Sequence, residues 1–100
     1  MPRDDSDVIL LSNDGKFYSA HQRILSKYSV IFEKMFKESN EIPFTINMEK
    51  FDIETIKSAM QFCYGKMDAV AVENANKVLQ FADAYSITEL KQFIVEKFQR

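Results

Sequence analysis

The sequence predicts an α+β fold, in which a small sheet of about three short strands packs on a cluster of about five helices. Short runs of β-branched residues and leucine lie near the start of the chain, and apolar residues later recur at helical spacing. The 100 residues include only two glycines and two prolines, which indicates that most of the chain forms regular structure. The length is that of one domain.

The predicted strands are short and lie in the first half of the chain. The first covers Val8–Leu11. Residues 12–15 are predicted to form a turn, in which the Asp14-Gly15 pair is a strong two-residue hairpin signal, so residues 16–18 are predicted to return beside the first strand. A third strand is predicted at residues 44–46, after Pro43 has constrained the chain.

The five predicted helices cover residues 20–27, 30–38, 53–64, 72–84 and, opening at Ser86, a last stretch to about 98. Side chains able to accept hydrogen bonds from the first turn are predicted to cap four of these starts: Ser19 with Gln22, Ser29, Asp52, and Ser86 with Glu89. Gly65 is predicted to end the third helix, because glycine readily takes the left-handed backbone conformation.

The apolar faces of these helices predict the core. Leu25 and Phe32 fall on inward positions of the first two helices, and Val72 falls on the apolar face of the fourth. The nine phenylalanines and five methionines could line a binding groove, although at helical spacing such residues more often form core. A chain of 100 residues has limited room to bury them all. An exposed apolar patch is therefore expected, and on a small domain it usually marks an interface.

The overall composition argues against several classes of protein. A net charge of −2 and a pI near 5.4 argue against nucleic acid as a partner. No apolar run approaches the length of a membrane span, and the start lacks the apolar middle of a signal peptide. The single cysteine, Cys63, cannot form an internal disulfide and fits a reducing compartment. We therefore expect a cytoplasmic or nuclear protein.

Catalytic chemistry is not indicated. His21 could be a general base or a metal ligand, but its position at a helix start favours a structural role. Cys63 lies on an apolar helix stripe, which predicts a buried, inert thiol rather than a nucleophile. The acidic start, with Asp4, Asp5 and Asp7, lacks the glycine and distal glutamate of a calcium loop. The sequence therefore predicts no enzyme, no metal and no cofactor.

Four segments, taken in order, resemble the BTB/POZ domain family. Ser6-Asp7-Val8 resembles the opening S-D-V. Residues 17–36 resemble the pattern F-x-A-H-(K/R)-x-(V/I)-L-x-x-x-S-x-x-F-x-x-M-F, although two residues instead of one separate Phe17 from Ala20, and Gln22 stands at the position of the cation. Phe62-Cys63-Tyr64-Gly65 is similar to the segment F-x-Y-T-G with its threonine missing. Residues 79–91 are similar to the tail L-x-x-A-D-x-Y…L-K. Together the four segments are specific, whereas each alone would be weak.

The resemblance implies a BTB/POZ-like domain over residues 7–98, preceded by a flexible N-terminal segment, residues 1–6. It also implies protein–protein interaction, since family members usually self-associate and many are substrate adaptors of cullin-3 ubiquitin ligases. The leading interpretation is therefore a self-associating, cullin-3-binding adaptor domain that takes part in ubiquitination in the cytoplasm or nucleus. The alternative is an oligomerisation domain of a transcriptional regulator or of a channel-type assembly, with no ligase role. Asp7-Val8 and Ala20-His21 disfavour the channel branch, which usually has N-V-G-G and lacks Ala-His.

Two contact surfaces are implied by the same resemblance. Self-association is predicted on the first helical hairpin, with candidate residues Asp7, His21, Gln22, Arg23 and Ser26. Contact with cullin-3 is predicted at the end of the second helix and the loop after it, with candidate residues Lys34, Phe36, Lys37, Glu38, Glu41 and Ile42. Phe36 is the expected apolar anchor of this second surface, and a core position for its ring is the alternative.

Three departures from the family pattern bear on these surfaces. Family dimers often exchange a helix and a strand that precede S-D-V, and this chain starts too late to supply them, so a weak dimer is expected. Gln22 stands where dimeric members often have a cation that pairs with Asp7, which leaves Arg23 or solvent to compensate the carboxylate. The loop at residues 37–43 is short and puts Ser39 at the apolar position of a hydrophobic-x-acidic element.

Overall fold

The computed structural model describes residues 6–39, 44–66 and 68–98. Within these ranges it contains three strands and five helices, which confirms the predicted α+β fold. The strands are β1 (Val8–Leu11), β2 (Phe17–Ala20) and β3 (Phe44–Asn47). The helices are α1 (Gln22–Tyr28), α2 (Val30–Lys37), α3 (Ile53–Cys63), α4 (Ala75–Ala84) and α5 (Thr88–Phe98).

The sheet has β1 at its centre, in the order β2-β1-β3. β1 runs antiparallel to β2 and parallel to β3. A parallel pair needs a crossover connection, which the α1–α2 hairpin supplies. Alternation along β1 buries Val8 and Leu10 completely, whereas Ile9 and Leu11 face the opposite side and stay half-buried.

The turn between β1 and β2 is one residue longer than the predicted turn at residues 12–15. Strand pairing ends at Leu11 and Phe17, so five residues connect the strands. Ser12 closes this loop, because its backbone N–H donates to the Lys16 carbonyl at 2.8 Å and its Oγ accepts from the Lys16 N–H at 3.1 Å. Gly15 takes a φ of +79°, a conformation that glycine adopts without steric cost.

Local side-chain chemistry sets two helix starts as predicted. Ser29 Oγ accepts a hydrogen bond from the Phe32 N–H at 3.1 Å, which caps α2. Asp52 Oδ1 accepts from the Thr55 N–H at 3.0 Å and caps α3. The predicted end of α3 is also confirmed, since Gly65 has a φ of +100° just beyond the helix.

Ser86 ends α4 instead of capping α5, so the predicted Ser86–Glu89 capping box is wrong. Ser86 has a φ of 53°, in the left-handed region. The next N–H, that of Ile87, donates to the Ala82 carbonyl at 2.8 Å and closes the last turn of α4. This pattern is a Schellman motif, in which a residue with positive φ lies directly after the helix cap.

The predicted starts of α1 and α4 lie too early. Ser19 belongs to β2, and α1 begins only at Gln22, so Ser19 does not cap it. α4 begins at Ala75, and Val72 lies in the preceding turn with 71% of its surface exposed. The prediction that Val72 contributes to the apolar helix face is therefore wrong.

The core lies between the inner face of the sheet and the helices, with α3 in contact with β2, α1, α4 and α5. Leu25 and Phe32 are buried, as predicted. The Phe32 ring stacks on Tyr85 with centroids 4.7 Å apart, and Phe51 meets Phe81 edge-on at 5.0 Å. These rings join α2, the segment before α3 and the end of α4 in one aromatic cluster.

Candidate interaction surfaces

Asp7 holds the start of α1. Its Oδ1 accepts a hydrogen bond from the Gln22 backbone N–H at 2.8 Å, whereas the side chain of the N-cap residue, His21, makes no capping bond. A carboxylate at a helix N-terminus is also stabilised by the helix dipole. Asp7 therefore has a favourable partner inside its own chain, the backbone N–H of residue 22, although the side chain at that position is not a cation.

Tyr64 joins the end of α3 to the start of α1. Its hydroxyl oxygen accepts a hydrogen bond from the His21 backbone N–H at 2.9 Å, and His21 Nδ1 lies 2.7 Å from the same oxygen. Burial raises the pKa of Tyr64 to about 12, so the hydroxyl keeps its proton at neutral pH. This geometry supports the structural role predicted for His21.

The five predicted self-association residues lie together at the start of α1. Asp7 contacts the backbone of Gln22, His21 precedes it, and Arg23 and Ser26 follow within one turn. Arg23 is exposed, whereas the other four are partly exposed. The structure thus brings the set into one accessible region, and its role in self-association remains a prediction.

Part of the apolar surplus expected from the composition reaches the surface. Phe17 is 64% exposed, and its strand partner, Leu11, is half-buried on the same outer face of the sheet. The remaining large apolar side chains in the exposed class, among the described residues, are Val30, Tyr64, Val72 and Val95. Alternation along β2 was the sequence signal that could have identified Phe17 as an outward residue.

The predicted cullin-3 surface is only partly described. Lys34, Lys37 and Glu38 are exposed at the end of α2, and Lys37 Nζ lies 3.8 Å from a carboxylate oxygen of Glu33. Glu41 and Ile42 lie outside the described residues.

Phe36 is a core residue, so the expectation that it serves as an exposed anchor needs correction. Only 8% of its surface is exposed. Its ring stacks on that of Phe32 with centroids 6.2 Å apart and meets Phe44 edge-on at 5.2 Å. Phe32 and Phe36 are four residues apart on one helix, so both point from α2 toward the core.

A cleft of about 340 Å³ lies between the turn after β3 and the end of α4. It is lined by Asn47, Met48, Glu49, Lys50, Phe51, Ala84 and Tyr85. Tyr85 also stacks on Phe32 of α2, and its carbonyl accepts a hydrogen bond from Ser29 Oγ, so one lining residue of the cleft also packs against α2. Sequence reasoning missed the cleft, because it arises only where two segments distant in the chain meet.

Other chemistry in the described part of the chain is limited. Cys63 is buried, and desolvation, with a further contribution from Glu89, raises the pKa of its thiol to about 12. No group of three histidine, cysteine or acidic residues is arranged to hold a metal ion among the described residues. None of the helices in these ranges is long and apolar enough to cross a membrane.

Comparisons with known proteins agree with this architecture. The family model of the BTB/POZ domain matches residues 2–100. The BTB domain of zebrafish PATZ1 superposes with a TM-score of 0.76 at 20% identity, over 91% of this chain and 73% of that one. The BTB domain of human gigaxonin gives a TM-score of 0.76 at 19% identity, over 92% and 76% of the two chains. A comparison with curated proteins gives no match. The chain belongs to the BTB/POZ domain family, whose members are protein–protein interaction modules.

Proposed function

We propose that this domain is the self-associating, cullin-3-binding part of a ubiquitin ligase substrate adaptor. The observation that carries the proposal is the cleft between the turn after β3 and the end of α4. One of its lining residues, Tyr85, packs against α2, the helix on which the family resemblance predicts the cullin contact. The apolar part of the lining, with Met48, Phe51 and Tyr85, can receive a side chain from a partner.

The buried position of Phe36 changes the direction of the proposed contact. Since this ring is already packed in the core, the domain supplies the receiving cleft and the partner supplies the apolar anchor. Glu49 and Lys50 line the same cleft and offer one charge of each sign. The exposed end of α2, with Lys34 and Glu38, extends this proposed surface.

A calorimetric titration of the whole chain with the N-terminal region of cullin-3 tests the proposal. Ala84→Arg fills the cleft from an exposed helix position and should weaken binding by about tenfold or more. Asn76→Arg adds the same charge at an exposed position two turns earlier on α4 and should leave the affinity unchanged. If the unmodified domain does not bind, an oligomerisation domain with no ligase role becomes the better account.

Self-association is proposed to use the start of α1. In a two-fold contact, the exposed Arg23 of one copy can approach Asp7 of the other, because the same patch meets itself. Asp7 is already hydrogen-bonded within its own chain, so the ion pair across the contact adds little and a weak dimer is expected. A specific interface needs about 800 Å² from each copy, which requires the neighbouring surface of α1 as well.

Sedimentation equilibrium at increasing concentration tests this contact. Arg23→Glu places an acidic residue opposite Asp7 and should shift the chain toward monomer. The control is Lys57→Glu, the same type of charge reversal at an exposed position on α3, which should keep the wild-type association. A monomeric mass for the unmodified chain up to high micromolar concentration would contradict the proposal.

A further inference from the structure

A second groove lies between α3 and α5, and its lining shares no residue with either surface discussed above. It has a volume of about 250 Å³ and is lined by Phe62, Glu89, Gln92, Phe93 and Glu96. Its floor is aromatic, because the rings of Phe62 and Phe93 lie with centroids 5.1 Å apart and are tilted by 43°. Phe62 is buried and Phe93 half-buried, so the floor is firmly packed. We call this feature the α3–α5 groove.

The rim of the α3–α5 groove is acidic. Glu89 and Glu96 are seven residues apart on α5, which places both carboxylates on one face of the helix, about 10 Å apart along its axis. The lining among the described residues contains no cation. The nearby Lys91 is held by Asp83 of α4, with Nζ and Oδ1 2.8 Å apart.

The two rim carboxylates differ in their surroundings. Glu96 accepts a hydrogen bond from Gln92 Nε2 at 3.1 Å. Glu89 is exposed, and within the described part of the chain no ion pair or hydrogen bond engages it. The Phe93 ring already contacts a cation of its own helix, since Lys97 Nζ lies over the ring at 5.4 Å from its centroid. An aromatic floor next to an available carboxylate is suited to a cationic side chain.

We propose that the α3–α5 groove binds an arginine-bearing segment of a partner protein. The planar guanidinium can lie on the phenylalanine rings while its N–H groups donate to Glu89, a combination that the rounder, more strongly hydrated lysine ammonium does not match. The aliphatic part of the arginine covers the remaining apolar surface of the floor. This proposal is independent of cullin binding and of self-association.

The spacing of the carboxylates also suggests the form of the segment. A groove of about 250 Å³ has no room for a helix, whose diameter with side chains is about 10–12 Å. In a polyproline II segment, residues three apart lie on one face and are separated by about 9 Å. Two arginines in the pattern Arg-x-x-Arg therefore match the separation of Glu89 and Glu96. Aromatic-lined grooves also suit the proline side chains of such a segment.

An NMR titration of the whole chain with the capped peptide Pro-Arg-Pro-Pro-Arg-Pro tests the proposal. Amide shifts should saturate at Phe62 and at the α5 residues of the groove, and the affinity should fall as salt is added. The same peptide with both arginines replaced by citrulline keeps its shape and loses its charge, and it should bind about tenfold more weakly. A peptide with adjacent arginines should also bind more weakly, because it reaches only one carboxylate.

Matched variants identify the site. Glu89→Gln and Glu96→Gln should each weaken the arginine peptide about three- to tenfold, since each removes one charged acceptor. Glu54→Gln changes an exposed carboxylate on the first turn of α3 and should leave the affinity unchanged. The amide spectrum of each variant verifies its fold. Equal binding of the citrulline peptide, equal loss in Glu54→Gln, or no shift at the groove at millimolar peptide would overturn the proposal.

Discussion

Replacing Phe32 by alanine tests the packing of α2 more directly than any other single change. The side chain is completely buried and stacks on Tyr85 at 4.7 Å and on Phe36 at 6.2 Å. Deleting a buried phenylalanine ring usually costs about 3–5 kcal/mol, because apolar burial and packing are both lost. With a total stability of about 5–15 kcal/mol for a small domain, such a loss is a large fraction of the free energy of unfolding.

Urea denaturation followed by circular dichroism measures this loss. Phe17→Ala is the matched control, because it deletes the same ring at a site that is 64% exposed and should change the free energy of unfolding by no more than about 0.5 kcal/mol. In a thermal melt, the Phe32 variant should lose more than about 12 °C, since each kcal/mol lowers the midpoint by about 4–8 °C in a domain of this size. A melt within a few degrees of wild type, or an equal loss in the Phe17 variant, would refute the assigned helix face.

Three further predictions concern stability and reactivity. Ser86→Gly should raise the free energy of unfolding by about 0.5–1 kcal/mol in urea denaturation, because a left-handed backbone costs an L-residue about 1–2 kcal/mol and the greater chain entropy of glycine cancels part of the gain. Asp52→Ala should cost about 0.5–2 kcal/mol at neutral pH through the lost helix cap. Hydrogen bonds from Thr55 lower the pKa of the Asp52 carboxyl, so its contribution is complete above the unfolded pKa, near 4, and is lost as the pH falls through the lower folded value; denaturation at neutral and acidic pH measures the difference. Cys63 should react with a thiol reagent far more slowly in the native chain than in urea, since burial raises its pKa to about 12.

The helix starts separate what a sequence pattern can predict from what it cannot. Ser29 and Asp52 were identified correctly, because each caps through a bond to a residue three positions ahead, and that bond depends only on local sequence. Ser19 and Ser86 carry the same pattern and do not cap. Strand pairing to β1 holds Ser19 extended, and the last turn of α4 takes Ser86 into a left-handed conformation. In both cases a neighbouring element outcompetes the local preference.

The functional surfaces depend still more on tertiary contacts. The family pattern identified Asp7, but its bond to the Gln22 N–H forms only when the residue just before β1 meets the start of α1. For Phe36, helical spacing alone allowed both an exposed anchor and a core ring, and the edge-on contact with Phe44 of β3 decides for the core. Clefts formed by segments distant in the chain leave no local signal.

The aromatic cluster links the stability of the domain to its proposed partner cleft. Tyr85 lines the cleft on one side and stacks on Phe32 on the other, and Phe51 lines the same cleft while contacting Phe81. A substitution at Tyr85 would therefore lower stability and alter the cleft together, and a loss of binding could not be assigned to either cause. Ala84 lines the cleft from an exposed helix position and is absent from the buried core. Adding a side chain there separates partner binding from folding, which is why the cleft should be tested by filling it and the core by deleting Phe32.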